Sequence, residues 1–248
     1  MAETGTAPRV GLFVTCLVDA LRPSIGLATA RLLERAGCTV AVPAAQTCCG
    51  QPAFNNGDDA TARALARQAV AAFEAFDYLV APSGSCLGMI RHGFAELLSG
   101  DAAWRDRHAA LAAKSFEILS FLADVRGWSP ADVRFAAAAT YHDSCSGLRQ
   151  LGIRDQPRRL LAQVDGLTLT PLEGSEVCCG FGGTFCIHYP DISAAIVTAK
   201  AERVAATGAD VLLVAEPGCL LNIEGRLRRL GHGTRCLHPV EVLAGDEA

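Results

Sequence analysis

Cysteine is the residue type that offers the most chemistry in this chain of 248 residues, because 11 cysteines are present. A Cys-Cys-Gly triplet occurs at residues 48–50 and again at residues 178–180. A single cysteine precedes each triplet by 32 or 33 residues, and another follows its second cysteine by 37 or 40 residues. Matched recurrence of this kind indicates an internal duplication. The eight cysteines that share the pattern are Cys16, Cys48, Cys49 and Cys86 in the first half, and Cys145, Cys178, Cys179 and Cys219 in the second half.

Three further cysteines fall outside the repeated pattern. Cys38 and Cys236 lie at the starts of predicted strands, where a free cysteine usually packs as a small buried hydrophobe. Cys186 lies on a different loop from the second-half set, which makes it a weaker candidate for a metal ligand. Disulfides are not expected to be the main role of the cysteines, because their number is odd and the chain shows no secretory signal.

Four thiolates from one half could bind a metal ion or a metal cluster. Structural zinc sites usually take their thiolates from two short Cys-x2–4-Cys pairs. Neither half has such a pair, since Met89 and Asn222 stand three residues after Cys86 and Cys219. A [4Fe–4S] cluster distributes its thiolate ligands over a larger volume, which suits ligands from separate loops. The spacing therefore favours one or two iron–sulfur clusters and leaves zinc as an alternative.

The elements predicted around these cysteines are short apolar strands that alternate with helices, a pattern typical of parallel α/β sheets with right-handed crossovers. Each repeated cysteine follows the end of a strand, at the sheet edge where α/β proteins bind ligands. We therefore predict an α/β fold with two pseudo-symmetric, Rossmann-like parallel-sheet halves. The predicted strands are Arg9–Thr15, Thr39–Val42, Tyr78–Ala81, Arg134–Tyr141, Leu167–Thr170, Ala209–Ala215 and, as an edge strand, Arg235–Leu243. The predicted helices include Arg22–Ala36, a helix from Asp58 or Asp59 to Phe76, Lys114–Val125, Pro157–Val164 and Asp191–Ala206.

The duplication divides the chain into a first cysteine-rich domain at 1–99, a helical connector at 100–130 and a second cysteine-rich domain at 131–248. A net charge of −4 offers no broad basic surface for nucleic acid or anionic lipid. No apolar run approaches the roughly 20 residues of a membrane span, and Met1–Pro8 lacks the features of a secretory signal. We expect a cytoplasmic protein with no membrane span, no nucleic-acid partner and, without a dinucleotide fingerprint, no nucleotide cofactor of its own.

Two histidines and a glycine-rich turn are additional candidates beside the cysteines. His142 and Asp143 precede Cys145 and could relay protons or orient a cluster ligand, or could be a packed histidine and a helix-capping aspartate. His188 carries the same two interpretations. The segment 180–183 could bind an anion through backbone N–H groups or form a tight turn beside the cluster.

The motifs around the cysteines resemble those of the cysteine-rich CCG-domain proteins, which include a subunit of heterodisulfide reductase, and are most similar to the lactate utilization protein A family. The resemblance covers nearly the whole chain. Its segments are RVGLFVTCLVD, PAAQTCCGQPAFNNGD, VAPSGSC, YHDSCSGLR, EVCCGFGGTFC and PGCLLNI. It implies that the eight repeated cysteines bind iron–sulfur clusters. The chain departs from the family pattern at Met89 and Asn222, which stand where the final cysteine of each copy is expected, so four thiolates remain in each half.

The resemblance implies an iron–sulfur electron-transfer subunit of an L-lactate utilization complex, which oxidises L-lactate to pyruvate. Such a subunit would not be a self-sufficient enzyme. It would require a ferredoxin-like iron–sulfur subunit and a further lactate utilization subunit as partners. Two alternatives stay open: a heterodisulfide-reductase-like catalytic subunit that acts on a thiol or disulfide, and a zinc-binding or redox-sensing thiol module.

Overall fold

The computed structural model describes residues 6–245, so residues 1–5 of the polar N-terminal segment and the last three residues lie outside it. The described chain forms two four-stranded parallel sheets, with strand orders β2-β1-β3-β4 and β6-β5-β7-β8. These sheets confirm the predicted α/β fold with two similar halves. The strands are β1 Arg9–Leu12, β2 Thr39–Ala41, β3 Tyr78–Ala81, β4 Ser115–Glu117, β5 Arg134–His142, β6 Asp165–Thr170, β7 Val211–Val214 and β8 Arg235–Leu237.

Helices connect the strands and cover both sheets. Three segments of residues 6–245 are π-helical, namely Met89–Gly93, Phe121–Val125 and Ser146–Gln150. No described helix combines the length and apolar character that crossing a membrane requires. The α-helices are α1 Cys16–Leu21, α2 Pro23–Arg35, α3 Gln51–Asn55, α4 Asp59–Phe73, α5 Gly84–Gly88, α6 Phe94–Leu98, α7 Ala102–Ala113, α8 Ile118–Ser120, α9 Asp155–Leu161, α10 Phe185–His188, α11 Pro190–Ala206, α12 Pro217–Arg229 and α13 Pro239–Ala244.

Local sequence explains the elements that the prediction located well. All four residues of β7 are buried, as the apolar run Val-Leu-Leu-Val requires in a parallel strand covered on both faces. Helix α4 begins after Asp58, whose carboxylate accepts a hydrogen bond from the N–H of Thr61. The same helix buries Ala62, Ala66 and Phe73 at a helical spacing.

Within the connector, the segment Lys114–Val125 does not form the single helix that was predicted for it. Ser115–Glu117 instead forms β4, which pairs in parallel with Leu79–Ala81 of β3. The pairing overrides local helix propensity, because the backbone groups of Ser115–Glu117 form their hydrogen bonds with the edge of the first sheet. The connector therefore adds a strand to the first sheet, and the domain division at 99 and 130 stays a prediction. The edge strand predicted over Arg235–Leu243 is present only as far as Leu237, because Pro239 begins α13.

One of the two buried apolar clusters spans both halves, and the other lies in the first half. Helix α2 of the first half packs against α13 of the second half. Leu32 and Leu33 belong to the same buried cluster as Val242 and Leu243. The ion pair between Arg22 and Glu224, at 2.5 Å, also joins the halves. The cysteine loops of the two halves are therefore held in a fixed relation to each other.

Candidate metal centre

Every repeated cysteine follows a strand end, as the sequence predicted. In the first half, Cys16 begins α1 after β1, Cys48 and Cys49 follow β2, and Cys86 lies in α5 after β3. In the second half, Cys145 follows β5, the adjacent pair follows β6, and Cys219 lies in α12 after β7. Parallel strands end at one edge of their sheet, so the three cysteine-bearing loops of each half lie at that edge.

The sulfur atoms of the first half lie in two contacting pairs. The Sγ atoms of Cys16 and Cys48 lie 3.8 Å apart, and those of Cys49 and Cys86 lie 3.4 Å apart. Cys48 and Cys49 are adjacent in the chain, so the two pairs are contributed by neighbouring positions of one loop. Two thiolates that share one metal ion at 2.3 Å lie about 3.8 Å apart, so these sulfurs are close enough to share or bridge metal ions. The donor set therefore fits a thiolate-bound metal centre.

Protonation is unequal among these thiols. The hydrogen bond from Cys16 lowers the pKa of Cys48, and those from Cys49 and the Gly50 N–H act in the same direction. The pKa values of Cys16 and Cys49 are raised, first because each hydrogen-bonds to Cys48; Cys16 is exposed, whereas burial adds to the rise at Cys49. These hydrogen bonds therefore favour the thiolate form of Cys48, and the thiolate is the form of cysteine that binds metals.

The glycine of each Cys-Cys-Gly triplet has a backbone role. The Gly50 N–H donates to Cys48 Sγ at 3.5 Å, and the Gly180 N–H donates to Cys178 Sγ at 3.3 Å. Both glycines have a left-handed φ, of +80° and +81°. Only glycine adopts this conformation without steric cost, so the triplet spacing holds each N–H against a sulfur.

The second half brings fewer of its predicted ligands together. Cys179 and Cys219 are buried and paired as a disulfide. Cys145 and Cys178 are exposed, and no sulfur–sulfur contact within residues 6–245 joins either of them to this pair. A disulfide contributes no thiolate, so this pair must be reduced before it binds a metal. Metal binding by this set stays a prediction.

The cysteines outside the repeat lie apart from both sets. Cys38 and Cys236 are buried in the shared core, as expected for small hydrophobic residues. Cys186 is half-buried and donates its thiol to the Gly183 carbonyl at 3.2 Å.

His142 is a neighbour of the second-half pair that the sequence had not singled out as a metal ligand. One of its ring nitrogens lies within 4.8 Å of the Sγ atoms of both Cys179 and Cys219. The sequence signal was its position three residues before Cys145. The interpretation of Asp143 as a helix cap is wrong, because its carboxylate forms two hydrogen bonds with Arg158, at 2.8 and 2.7 Å.

A buried glutamate connects the cysteine loops of the two halves, and sequence reasoning missed it. Glu216, three residues before Cys219, accepts hydrogen bonds from the Ser85 N–H at 2.8 Å and the Ser85 Oγ at 2.9 Å. It also accepts from the Ser83 Oγ at 3.1 Å, and Ser83 stands three residues before Cys86. Equivalent positions of the duplication therefore contact each other. Burial raises the pKa of Glu216.

The remaining candidates have structural partners. His188 is exposed, and its Nε2 lies 3.1 Å from Oδ1 of Asn56 in the first half. Gly182 and Gly183 both have positive φ values and form a tight turn, in which the Phe185 N–H donates to the Gly182 carbonyl. Neither observation identifies a bound anion or a proton relay.

Known proteins share both the cysteine pattern and the full length of this chain. The family model described as the CCG cysteine-rich domain matches residues 10–91 and 139–224. A putative Asp/Glu racemase from Yersinia pestis aligns over 96% of both chains, but its 9% identity and TM-score of 0.38 are too low to inform fold or function. Lactate utilization protein A from Exiguobacterium sp. is 47% identical over 95% of this chain and 97% of its own length. The protein of the same name from Geobacillus kaustophilus is 46% identical over 95% and 98%. The chain therefore belongs to the CCG cysteine-rich domain family and, within it, to the lactate utilization protein A family.

Proposed function

We propose that this chain is the iron–sulfur electron-transfer subunit of a system that oxidises L-lactate to pyruvate. The observation that carries the proposal is the contact of four thiols in two pairs from three strand ends, with Cys16 and Cys48 3.8 Å apart and Cys49 and Cys86 3.4 Å apart. The names of the related proteins contribute the lactate assignment. An iron–sulfur cluster gains and loses single electrons, which an all-thiolate site of this kind supports.

The residues of the first half would bind and tune such a cluster. Cys48 is the thiolate with the lowered pKa and is the first ligand expected to bind iron. The Gly50 N–H, which donates to its sulfur, stabilises negative charge there and raises the reduction potential of the centre. The buried environment of Cys49 and Cys86 limits solvent access on one side. The other set, Cys145, Cys178, Cys179 and Cys219, would bind a second cluster once the paired cysteines are reduced.

Partners are part of the proposal, because the sequence has no nucleotide-binding fingerprint that would link a cluster to a soluble acceptor. We propose a ferredoxin-like iron–sulfur subunit as the electron acceptor and a further lactate utilization subunit that binds the substrate. The complex would work in the cytoplasm, where the cysteines stay reduced.

Anaerobic purification followed by iron, zinc and acid-labile sulfide analysis tests the proposal. Cys49→Ser removes a sulfur from the centre of the first-half set, and we expect it to abolish the EPR signal of that cluster with a matching loss of iron. Cys38→Ser is the matched control, since Cys38 is also buried but lies outside the set. A wild-type chain that binds zinc alone, or no metal, would contradict the proposal.

The disulfide between Cys179 and Cys219 favours a second candidate, a catalytic subunit that acts on thiols or disulfides. The two functions make different predictions for one assay. A catalytic subunit would turn over a low-molecular-weight disulfide at the expense of a reduced dye, and Cys219→Ser would abolish that turnover. An electron-transfer subunit would show no such turnover while still binding iron and sulfide.

A further inference from the structure

We propose that His142 is a nitrogen ligand to iron at the second-half centre, alongside the thiolates of Cys179 and Cys219. This inference rests on the proposed iron–sulfur function and assigns that function a mixed nitrogen and sulfur centre. Its geometric basis is the group of three donor atoms, all within 4.8 Å of one another and all contributed by buried residues.

The position of His142 leaves one ring nitrogen without a partner. Its Nδ1 lies 2.9 Å from the Ser175 carbonyl oxygen. Its Nε2 is buried and has no hydrogen-bond partner among residues 6–245. The side chain is 1% exposed, so solvent does not satisfy this nitrogen. Buried polar atoms almost always have a partner, so an unpartnered nitrogen on a residue this close to two sulfurs fits a metal ligand.

The tautomer follows from the Ser175 carbonyl. A carbonyl oxygen only accepts hydrogen bonds, so the proton of a neutral His142 ring is on Nδ1. The Nε2 atom is then a bare lone pair, which is the form that binds metals. Metal-binding histidines almost always donate their other ring N–H to a carbonyl or carboxylate in this way.

The Ser175 carbonyl, which holds the His142 ring, is itself held by neighbouring groups. The Ser175 carbonyl also accepts from the Asp143 N–H at 3.2 Å and from Lys200 Nζ at 3.3 Å, so its position is held from three directions. Lys200 is itself buried and donates to the Gly174 carbonyl at 2.7 Å. These contacts hold the ring in the orientation that leaves Nε2 without a partner.

The first half has no equivalent of this donor. Phe13 occupies the position three residues before Cys16, as His142 does before Cys145, and Phe13 is fully buried. The first-half centre would therefore be bound by sulfur alone. Replacing thiolates by histidine raises the potential of an iron–sulfur centre, so the second centre would accept electrons from the first.

Iron binding at this site first requires two thiols. Dithiothreitol supplies the two electrons that convert the Cys179–Cys219 disulfide into thiols, and is itself oxidised to its cyclic disulfide. Each thiol then loses its proton as it binds iron. The full-length chain is therefore reduced with dithiothreitol before anaerobic reconstitution with iron and sulfide.

Pulsed EPR of the reconstituted chain, labelled with ¹⁵N-histidine, tests the proposal without measuring activity. We expect a strongly coupled ¹⁵N signal in the wild type and in Cys49→Ser, in which only the second centre remains. His142→Phe, which reproduces the first-half residue, should lose that signal. His142→Cys should lose the nitrogen coupling yet keep the iron, with a lower reduction potential, because a thiolate replaces the imidazole.

His108→Phe is the matched control, because His108 is also buried but its Nε2 lies 2.7 Å from the Ile90 carbonyl oxygen. This variant should keep the coupled signal. Bound iron without a strongly coupled nitrogen in the wild type overturns the His142 assignment and leaves the iron–sulfur function standing. A coupled signal that persists in both His142 variants also overturns the assignment. A wild type without iron overturns the iron–sulfur function itself.

Discussion

Gly50 and Gly180 follow the paired cysteines of the two halves with nearly the same φ, +80° and +81°. Each donates its N–H to the sulfur two residues earlier. The side chains at other equivalent positions differ: Phe13 corresponds to His142, and Ser83 corresponds to Glu216. The duplication has preserved the backbone of the cysteine loops while the side chains around them diverged. The two halves therefore have the same loop geometry with different chemistry.

The same divergence occurs where the fourth strand of each sheet ends. By register, Glu117 pairs with Ala81, and His238 follows Leu237, which pairs with Leu213. Glu117 caps α8 and His238 caps α13, so an acid and a base occupy one structural position. Burial raises the pKa of Glu117 to about 8 and lowers that of His238 to about 4, so both groups are neutral in the folded chain near pH 6.

The largest expected effect comes from replacing Glu117 by a residue that does not titrate. Stability from protonated Glu117 is fully present below its ordinary pKa of 4.5 and is lost as the pH rises towards 8. Relative to the wild type, Glu117→Gln should therefore increase the free energy of unfolding more at pH 8 than at pH 5, with a difference on the order of 4 kcal/mol. Urea unfolding of the full-length chain at both pH values measures this.

The second half should show the opposite sign. Stability from neutral His238 is present above its ordinary pKa of 6.5 and is lost as the pH falls towards 4. His238→Asn keeps a capping side chain. Relative to the wild type, it should increase the free energy of unfolding more at pH 5 than at pH 8, with a difference of about 2 kcal/mol. Equal pH dependence in both variants and the wild type would show that neither group titrates differently on unfolding.

A difference of about 2 kcal/mol is expected between substitutions of the two triplet glycines. Alanine at either position must adopt a left-handed φ, which costs about 1–2 kcal/mol. At Gly180 the added Cβ would also lie 2.8 Å from the Ser193 carbonyl oxygen, whereas at Gly50 the nearest atom is the Leu65 Cβ at 3.4 Å. We expect Gly180→Ala to lower the free energy of unfolding by about 3 kcal/mol and Gly50→Ala by about 1 kcal/mol.

Thermal unfolding of both variants under one anaerobic condition makes this comparison. Gly57→Ala is a suitable reference, because Gly57 also has a positive φ of +75° and no atom within 4 Å of an added Cβ. Its loss should match that of Gly50→Ala. If Gly180→Ala is no less stable than Gly57→Ala, the contact with Ser193 is unimportant and the two halves tolerate substitution equally.

Most of the strands and the edge that collects the cysteines could be predicted from sequence, because apolar runs such as Val211–Val214 and the repeated spacing are local signals. The strand Ser115–Glu117 could not be predicted, since its pairing with Leu79–Ala81 depends on a partner far away in the chain. For the same reason the helix predicted over 114–125 was wrong in its first turn.

The candidate site was predictable to a similar extent. Cysteine spacing identified the loops, but it carried no information on which sulfurs approach one another. The first-half sulfurs form two contacting pairs, Cys16 with Cys48 and Cys49 with Cys86, whereas in the second half only Cys179 and Cys219 are paired among the described residues. The roles of His142 and Glu216 depend on contacts between distant segments, and their sequence signal appears only when the two halves are aligned on their cysteines.

The smallest expected effect concerns the link between the two cysteine loops. Ser85 precedes Cys86 and donates its hydroxyl to Glu216, whereas the equivalent Gly218 has no side chain because an added Cβ would lie 2.4 Å from the Phe181 ring. The link therefore has a serine hydroxyl on the first-half side alone. Ser85→Ala should lower the free energy of unfolding by about 1 kcal/mol, since Glu216 keeps its bonds to the Ser85 N–H and to Ser83. Ser99→Ala, which removes an exposed hydroxyl bonded to the Glu96 carbonyl, should change it by less than about 0.5 kcal/mol in the same urea titration. Equal losses in the two variants would show that the hydroxyl contributes no more at the junction of the halves than at the surface.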